Sequence, residues 1–147
     1  MIKTDRIYGK GGGFNQHIYY NNGNKIREGV SQLKTFYCDL EITLDVIGGK
    51  WRPLILYYLI KGPKRTGELK RLIPSISQKM LVQSLRELES NHLIIRKMYN
   101  QVPPKVEYAI SEMGMSLEPT LRALCNWGQD YAEKTWNKDE YRRLNVE

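Results

Sequence analysis

The stretch Thr66-Gly67-Glu68-Leu69-Lys70-Arg71-Leu72-Ile73-Pro74-Ser75-Ile76-Ser77-Gln78-Lys79-Met80-Leu81-Val82-Gln83-Ser84-Leu85-Arg86-Glu87-Leu88-Glu89-Ser90-Asn91 decides the fold. Thr66 is a capping residue type and predicts a short helix over Gly67 to Leu72. Pro74 ends it, because proline cannot donate to the helical ladder and disfavours helix in the residue before it. Ser77 is a second N-cap, and it predicts a helix running to Asn91. Leu81, Leu85 and Leu88 fall on one stripe of that helix. At about 100° per residue, Lys79, Gln83, Arg86 and Ser90 gather on the opposite side. One face is made for a core; the other is basic and rich in hydrogen-bonding groups.

Working outward, Trp51 to Ile60 is strongly apolar and stops at Lys61-Gly62-Pro63, so it predicts the buried central helix, with Pro53 tolerated in the first turn. Before it, Glu41 to Ile47 predicts a short amphipathic helix that ends at Gly48-Gly49. After the basic-faced helix, Leu93 to Tyr99 and Lys105 to Ile110 are strand-like. Asn100-Gln101-Val102-Pro103-Pro104 joins them as a proline-stiffened hairpin tip. Ser111 and Glu112 then open a long helix through Leu117, Leu121, Leu124, Trp127, Tyr131 and Trp136. Residues 1–24 are rich in Gly and Asn without an apolar period and predict a flexible extension. From Lys25, the spacing of Ile26, Val30, Leu33 and Tyr37 fits a helix. The expected organisation is an extension over 1–37, one domain over 38–136 and a tail over 137–147.

The chain has 147 residues and carries +7, with 23 Lys and Arg against 16 Asp and Glu. The whole excess lies between Lys61 and Lys105, which hold ten Lys and Arg (61, 64, 65, 70, 71, 79, 86, 96, 97, 105) and three Glu (68, 87, 89) within that stretch before Glu107. A basic segment in a neutral frame fits a polyanion partner, and equally a solvated face. The longest apolar run, Leu54 to Ile60, is too short to span a bilayer, and the N-terminus lacks a secretory pattern. A cytoplasmic protein without membrane contact is expected. The two cysteines, Cys38 and Cys125, form neither a disulfide framework nor a zinc spacing. Enzyme chemistry is not expected: His17 and His92 have no paired base, and no nucleophile motif, phosphate loop or metal-ligand set is present. No cofactor is implied.

Helix, helix, short helix, turn, basic-faced helix, two-stranded ribbon and long helix, in that order, make a winged helix-turn-helix: mainly α with a small β-hairpin wing. Such a domain lays its second helix in the major groove of double-stranded DNA. Gln83 can pair bidentately with adenine, while Lys79 and Arg86 can reach guanine or phosphate. Ser77 and Gln78, at the helix start, can donate backbone N–H groups to a phosphate. Lys97, Asn100, Gln101 and Lys105 fit the neighbouring minor groove or its phosphates, and Arg65 another phosphate. Each Lys or Arg taken singly is as readily a solvated charge. The competing reading is a winged-helix protein-interaction module that uses its aromatic C-terminal helix and reads no DNA sequence.

Several interlocked motifs carry a resemblance. Thr43-Leu44-Asp45-Val46-Ile47-Gly48-Gly49-Lys50-Trp51 is followed by Ile55-Leu56, Gly62-Pro63-Lys64-Arg65 and Glu68-Leu69. Ile76-Ser77-Gln78-Lys79-Met80-Leu81, Leu85-Arg86-Glu87-Leu88 and Val102-Pro103-Pro104-Lys105-Val106-Glu107-Tyr108 come next, then Gly114, Leu117, Pro119 and Trp127-Gly128. Over Cys38 to Trp127 the chain resembles the HxlR-type (DUF24) winged-helix regulators, which are related to the MarR family. The resemblance implies a homodimer on a pseudo-palindromic operator, terminal helices as the dimerisation elements, and repression. Leu117, Leu121, Leu124, Trp127 and Tyr131 are the expected interface. In some members the cysteine at the position of Cys38 senses electrophiles or oxidants, so a small-molecule or oxidant effector is implied. Asp39 and Glu41 oppose a thiolate there, and Cys38 reads equally as a small residue at a helix start. Cys125, in the apolar region of the long helix, reads as a packing residue. The chain departs from the pattern at Thr66, where an aromatic is usual, at Asp39 in place of Pro, in its longer extension, and at Asn91-His92 in place of Asp-Gly. That last pair must hold a left-handed turn without glycine.

Overall fold

The structure is a computed structural model and describes residues 19–21, 24–26, 34–137 and 139–143. The chain divides into two units, Met1–Asp39 and Leu40–Glu147. In the first, β1 (Tyr19–Asn21) pairs antiparallel with β2 (Asn24–Ile26), with Asn21 opposite Asn24. Asn22-Gly23 between them is a residue pair favoured in two-residue hairpin connections. That local preference corrects the expected start of a helix at Lys25, since Lys25 and Ile26 are strand. The far end of the expected helix, residues 34–37, is not helical either, and residues 27–33, with most of the extension, lie outside the described residues.

The second unit follows the predicted order. α1 (Asp39–Ile47) and α2 (Trp51–Ile60) are separated by Gly48-Gly49, where Gly49 takes a positive φ of 83°. α3 (Thr66–Leu72) begins one residue earlier than predicted, with Arg65 rather than Thr66 at the N-cap. The Glu68 carboxylate accepts from the Arg65 backbone N–H at 2.6 Å, so the acid three residues on does the capping. α4 (Gln78–Ser90) starts as predicted: Ser77 Oγ accepts from the Met80 N–H at 3.1 Å.

α4 ends in a left-handed turn at His92, φ 59°. The Leu93 N–H reaches Leu88 O at 2.9 Å and the His92 N–H reaches Glu89 O at 2.9 Å, the two bonds of a Schellman motif. β3 (Ile94–Tyr99) and β4 (Lys105–Ile110) form the predicted hairpin, with Lys97 opposite Glu107 and Tyr99 opposite Lys105. Lys64 adds a short bridge to its outer side: the Lys64 N–H donates to Tyr108 O and the Tyr108 N–H to Lys64 O, both at 2.9 Å. The loop before α3 is thereby sewn to the wing.

The single long helix expected after Ser111 is two. α5 (Glu112–Met115) stops at Ser116-Leu117, and α6 (Glu118–Thr135) restarts with Pro119 in its first turn. A continuous helix would set the Pro119 ring against the carbonyl of Met115 and lose one backbone bond there. Ile55, Leu56 and Leu59 of α2 meet Leu69, Ile73, Ile76, Leu81, Leu85 and Leu88, closed by Leu93, Ile94 and Leu121. This core fixes α4 against α2 and α3 and leaves its polar face outward.

Candidate nucleic-acid interface

The leucine stripe of α4 is consumed by the core, so Lys79, Gln83 and Arg86 are exposed on the far side, as the 3.6-residue period requires. Among the described residues, neither the Lys79 nor the Arg86 side chain has a hydrogen bond or an ion pair. Two cations without internal partners are available to an anion. Ser77 and Gln78 stand exposed at the helix start. Ser77 Oγ spends one lone pair on the cap and keeps its O–H to donate. Gln83 is engaged: its Nε2 donates to Glu87 Oε1 at 2.8 Å, one turn along.

The wing supplies a second cluster, and here the structure separates residues that the sequence treated alike. Odd-numbered residues of β3 and β4 share one face, which brings Lys97, Tyr99, Lys105 and Glu107 together. Lys105 Nζ lies 2.6 Å from Glu107 Oε1 and 4.7 Å from the centre of the Tyr99 ring. Arg65 Nε lies 3.8 Å from the same carboxylate oxygen. The hydrogen bond from Lys105 holds the Glu107 carboxyl below its usual range, helped by the Lys105 charge, the Tyr99 hydroxyl and the Arg65 charge. Two of the expected phosphate contacts therefore share one internal anion. Lys97 faces Glu107 across the ladder, has no ion pair among the described residues and is exposed. Asn100 and Gln101 are exposed at the tip beside Val102, which is 100% exposed.

The expected interface residues also divide. Leu121 is 4% exposed within the chain itself and belongs to the core, and Leu117 packs against that core. Leu121 is corrected from a partner contact to protomer packing, because α6 must first cover α2, while Leu117 is only partly buried. Leu124, Trp127 and Tyr131 lie on another face of α6, about 80° round by helical geometry, and are exposed. Trp127 stacks on Tyr131 at 5.1 Å, and Tyr131 meets Trp136 edge-on at 5.7 Å. Leu40, Ile42 and Leu44 on α1 are further exposed apolar residues that the sequence reading did not assign. Cys38 and Cys125 are both free and exposed. Exposure corrects the packing role expected for Cys125, which the helix turns away from the core.

The HxlR-like helix-turn-helix family matches residues 46–136 of this sequence. The chain belongs to that family. The HTH-type transcriptional regulator YkvN of Bacillus subtilis is 61% identical over 109 residues, which cover 74% of this chain and 92% of YkvN. The redox regulator HypR in its reduced form is 44% identical, with a TM-score of 0.64 over 71% of this chain and 100% of HypR. Its oxidized form gives 0.61 over 73% of this chain. Diamide-treated YodB from B. subtilis is 34% identical, with a TM-score of 0.54 over 70% of this chain and 99% of YodB.

This HxlR-family chain is thus a winged helix-turn-helix transcriptional regulator. No helix among its described residues is long and apolar enough to cross a membrane. The sequence reading missed Glu107 and Tyr99, which decide how much positive charge the wing presents. The signal was available in the two-residue spacing of Lys105 and Glu107, which places both on one side of a strand. It also missed Arg52 and Glu87, whose positions on α2 and α4 become informative only when those helices meet.

Proposed function

We propose that this protein is a sequence-specific DNA-binding repressor that acts as a homodimer on a pseudo-palindromic operator. The observation that carries the reading is the outward face of α4, where Lys79 and Arg86 flank Gln83 and neither cation has a partner among the described residues. In the major groove, that triplet supplies one amide for adenine and two cations for guanine or phosphate. The wing adds sequence-independent affinity, chiefly through Lys97, because Glu107 already occupies Lys105. Apolar pairing through Leu124, Trp127 and Tyr131, with α1 contributing Leu40 and Leu44, sets two recognition helices about 34–36 Å apart, one DNA turn.

Footprinting on the DNA flanking the protein's own gene, followed by titration of the protected duplex, tests the reading. Gln83→Ala is expected to relax preference at particular base pairs, each good contact being worth about 1–3 kcal/mol. Lys97→Ala is expected to weaken all sequences alike and to flatten the slope of log affinity against log salt by about 0.9 per phosphate contact. Equal, sequence-blind losses for both would refute this division. Binding that ignores salt would favour a protein-interaction module instead. A monomer by light scattering at micromolar concentration, still binding the operator tightly, would refute the dimer.

The effector proposed is an oxidant or electrophile acting at Cys38. Support comes from its exposure and from the likeness to HypR, a redox regulator with reduced and oxidized forms. Diamide takes two electrons and two protons from a pair of thiols, which become a disulfide as its N=N bond is reduced. Operator affinity of the wild type should change with diamide, and that of Cys38→Ser should not. An identical response of both proteins would assign Cys38 a structural role.

A further inference from the structure

Beneath Gln83 runs a chain of contacts that ends on a different helix. Gln83 Nε2 donates to Glu87 Oε1 at 2.8 Å. The other carboxylate oxygen, Oε2, lies 3.7 Å from Arg52 Nη1 on α2. Arg52 in turn spans the end of α1: its Nε donates to Gly48 O at 2.9 Å, and its Nη1 donates to Asp45 O at 3.0 Å and Val46 O at 3.1 Å. These are carbonyls at the C-terminal end of a helix, where the last C=O groups lack helical partners and the dipole favours a cation. Three carbonyls and a planar guanidinium leave Arg52 little freedom. Its side chain is 21% exposed against 40% for Glu87, so the fixed member is the inner one.

The chemistry of the acceptor fixes the amide. A carboxylate only accepts hydrogen bonds, so the end of Gln83 that faces Glu87 must be the nitrogen. Glu87 takes one of its two N–H groups. Gln83 Oε1 and the second N–H remain, and adenine recognition needs that pair: the oxygen accepts from N6–H and the N–H donates to N7. A free glutamine side chain would sample the reversed amide and other rotamers, and would pay to order itself on binding. Glu87 also places a negative charge close to where phosphates would pass. That placement weakens general DNA attraction, so its presence is not explained by affinity.

We propose that Arg52 and Glu87 are positioning residues for base recognition: Arg52, clamped on the end of α1, holds Glu87, and Glu87 holds the Gln83 amide in its adenine-reading orientation. This rests on the reading of α4 as the recognition helix. It makes the specificity of α4 depend on where α1 ends, and so couples the recognition face to an element that carries the exposed apolar residues of the proposed dimer.

The test uses the full chain and a pool of duplexes randomised in sequence, with bound fractions sequenced for wild type, Gln83→Ala, Glu87→Ala, Glu87→Gln, Arg52→Lys and the Gln83→Ala/Glu87→Ala pair. Wild type is expected to prefer adenine at one position of each half-site by about five- to 150-fold, the span of a good bidentate contact. Glu87→Ala should cut that preference at the same position several-fold while raising affinity for non-specific duplex, because an anion has been removed. A purely structural role would lower both together. Glu87→Gln, which keeps an acceptor for Gln83 but loses the ion pair with Arg52, should fall between. Arg52→Lys, which keeps the charge but not the three-carbonyl clamp, should lose preference at that position only. In the double variant, Glu87→Ala should add nothing to the loss from Gln83→Ala. If Gln83→Ala relaxes the preference and Glu87→Ala leaves it intact, the positioning role is overturned and the recognition helix stands. If Gln83→Ala itself changes nothing, the assignment of Gln83 falls and the positioning role falls with it.

Discussion

Replacing Gly114 by alanine should destabilise the domain severely, although one methyl group is the whole change. A Cβ at Gly114 would stand 2.1 Å from Leu93 O and 2.8 Å from Ile110 Cδ1. The carbonyl cannot swing aside, because it belongs to the turn at the end of α4 and accepts the Ser111 N–H at 3.0 Å. α5 would have to lift by about 1 Å or more, loosening the Ser111 N–H bond and the bond from the Gly114 N–H to Ser111 Oγ, now 2.9 Å. Overpacking of this kind costs about 1–3 kcal/mol, and each buried hydrogen bond left poorly made about 1–3 more. A loss of about 3–5 kcal/mol is a large part of a typical stability of about 5–15 kcal/mol. Urea denaturation at fixed protein concentration reads it directly: with a slope of about 2 kcal/mol/M, the midpoint should fall by about 2 M. Gly67→Ala is the control, since nothing lies within 4 Å of a Cβ there and alanine favours helix. A loss below about 1 kcal/mol for Gly114→Ala, with an unchanged slope, would refute the steric argument.

Glu107→Gln should free Lys105 and Arg65, strengthen binding to every DNA sequence and steepen the salt dependence by about 0.9 for each new phosphate contact; anisotropy titrations between low and high salt check it, and a shallower slope would overturn it. Because its neighbours depress the Glu107 pKa in the folded state, the stabilisation it provides is complete above its ordinary value of 4.5 and is lost as pH falls through the lower folded value. A stability profile of Glu107→Gln should therefore converge on wild type only in acid. His92→Gly should raise stability by about 1 kcal/mol by removing the strain of a side chain at φ 59°, and His92→Val should lower it by more; thermal melts of the two variants, moving in opposite directions, check this. Leu85→Ala, deep in the core at 1% exposure, should cost about 2–5 kcal/mol and weaken specific and non-specific DNA binding together, unlike Gln83→Ala.

Much of this architecture was written locally. Ser77 before an apolar stripe fixed the start of α4, and Pro74 fixed the end of α3, because caps and breakers act within a few residues. Asn91-His92 was legible as a left-handed turn for the same reason. The core face and the exposed polar side of α4 followed from helical period alone. Apart from the cap of α3, the positions that sequence reasoning misplaced depend on contacts across the chain. Thr66 looked like a cap, but Glu68 reaches Arg65, one residue earlier. Leu117, Leu121 and Leu124 recur at helical spacing, yet the core takes Leu121 and part of Leu117 and leaves Leu124 exposed. Lys97 and Lys105 read as equal cations until strand register set Glu107 and Tyr99 beside only one of them. Arg52 and Glu87 are 35 positions apart and acquire meaning only when α2 and α4 pack. Periodicity and capping are properties of a segment, so the sequence alone determined that α1 to α4 form and which side of α4 is apolar. Which charges remain unpaired, and which apolar residues remain uncovered, are properties of the assembled surface, and tertiary structure alone decided them.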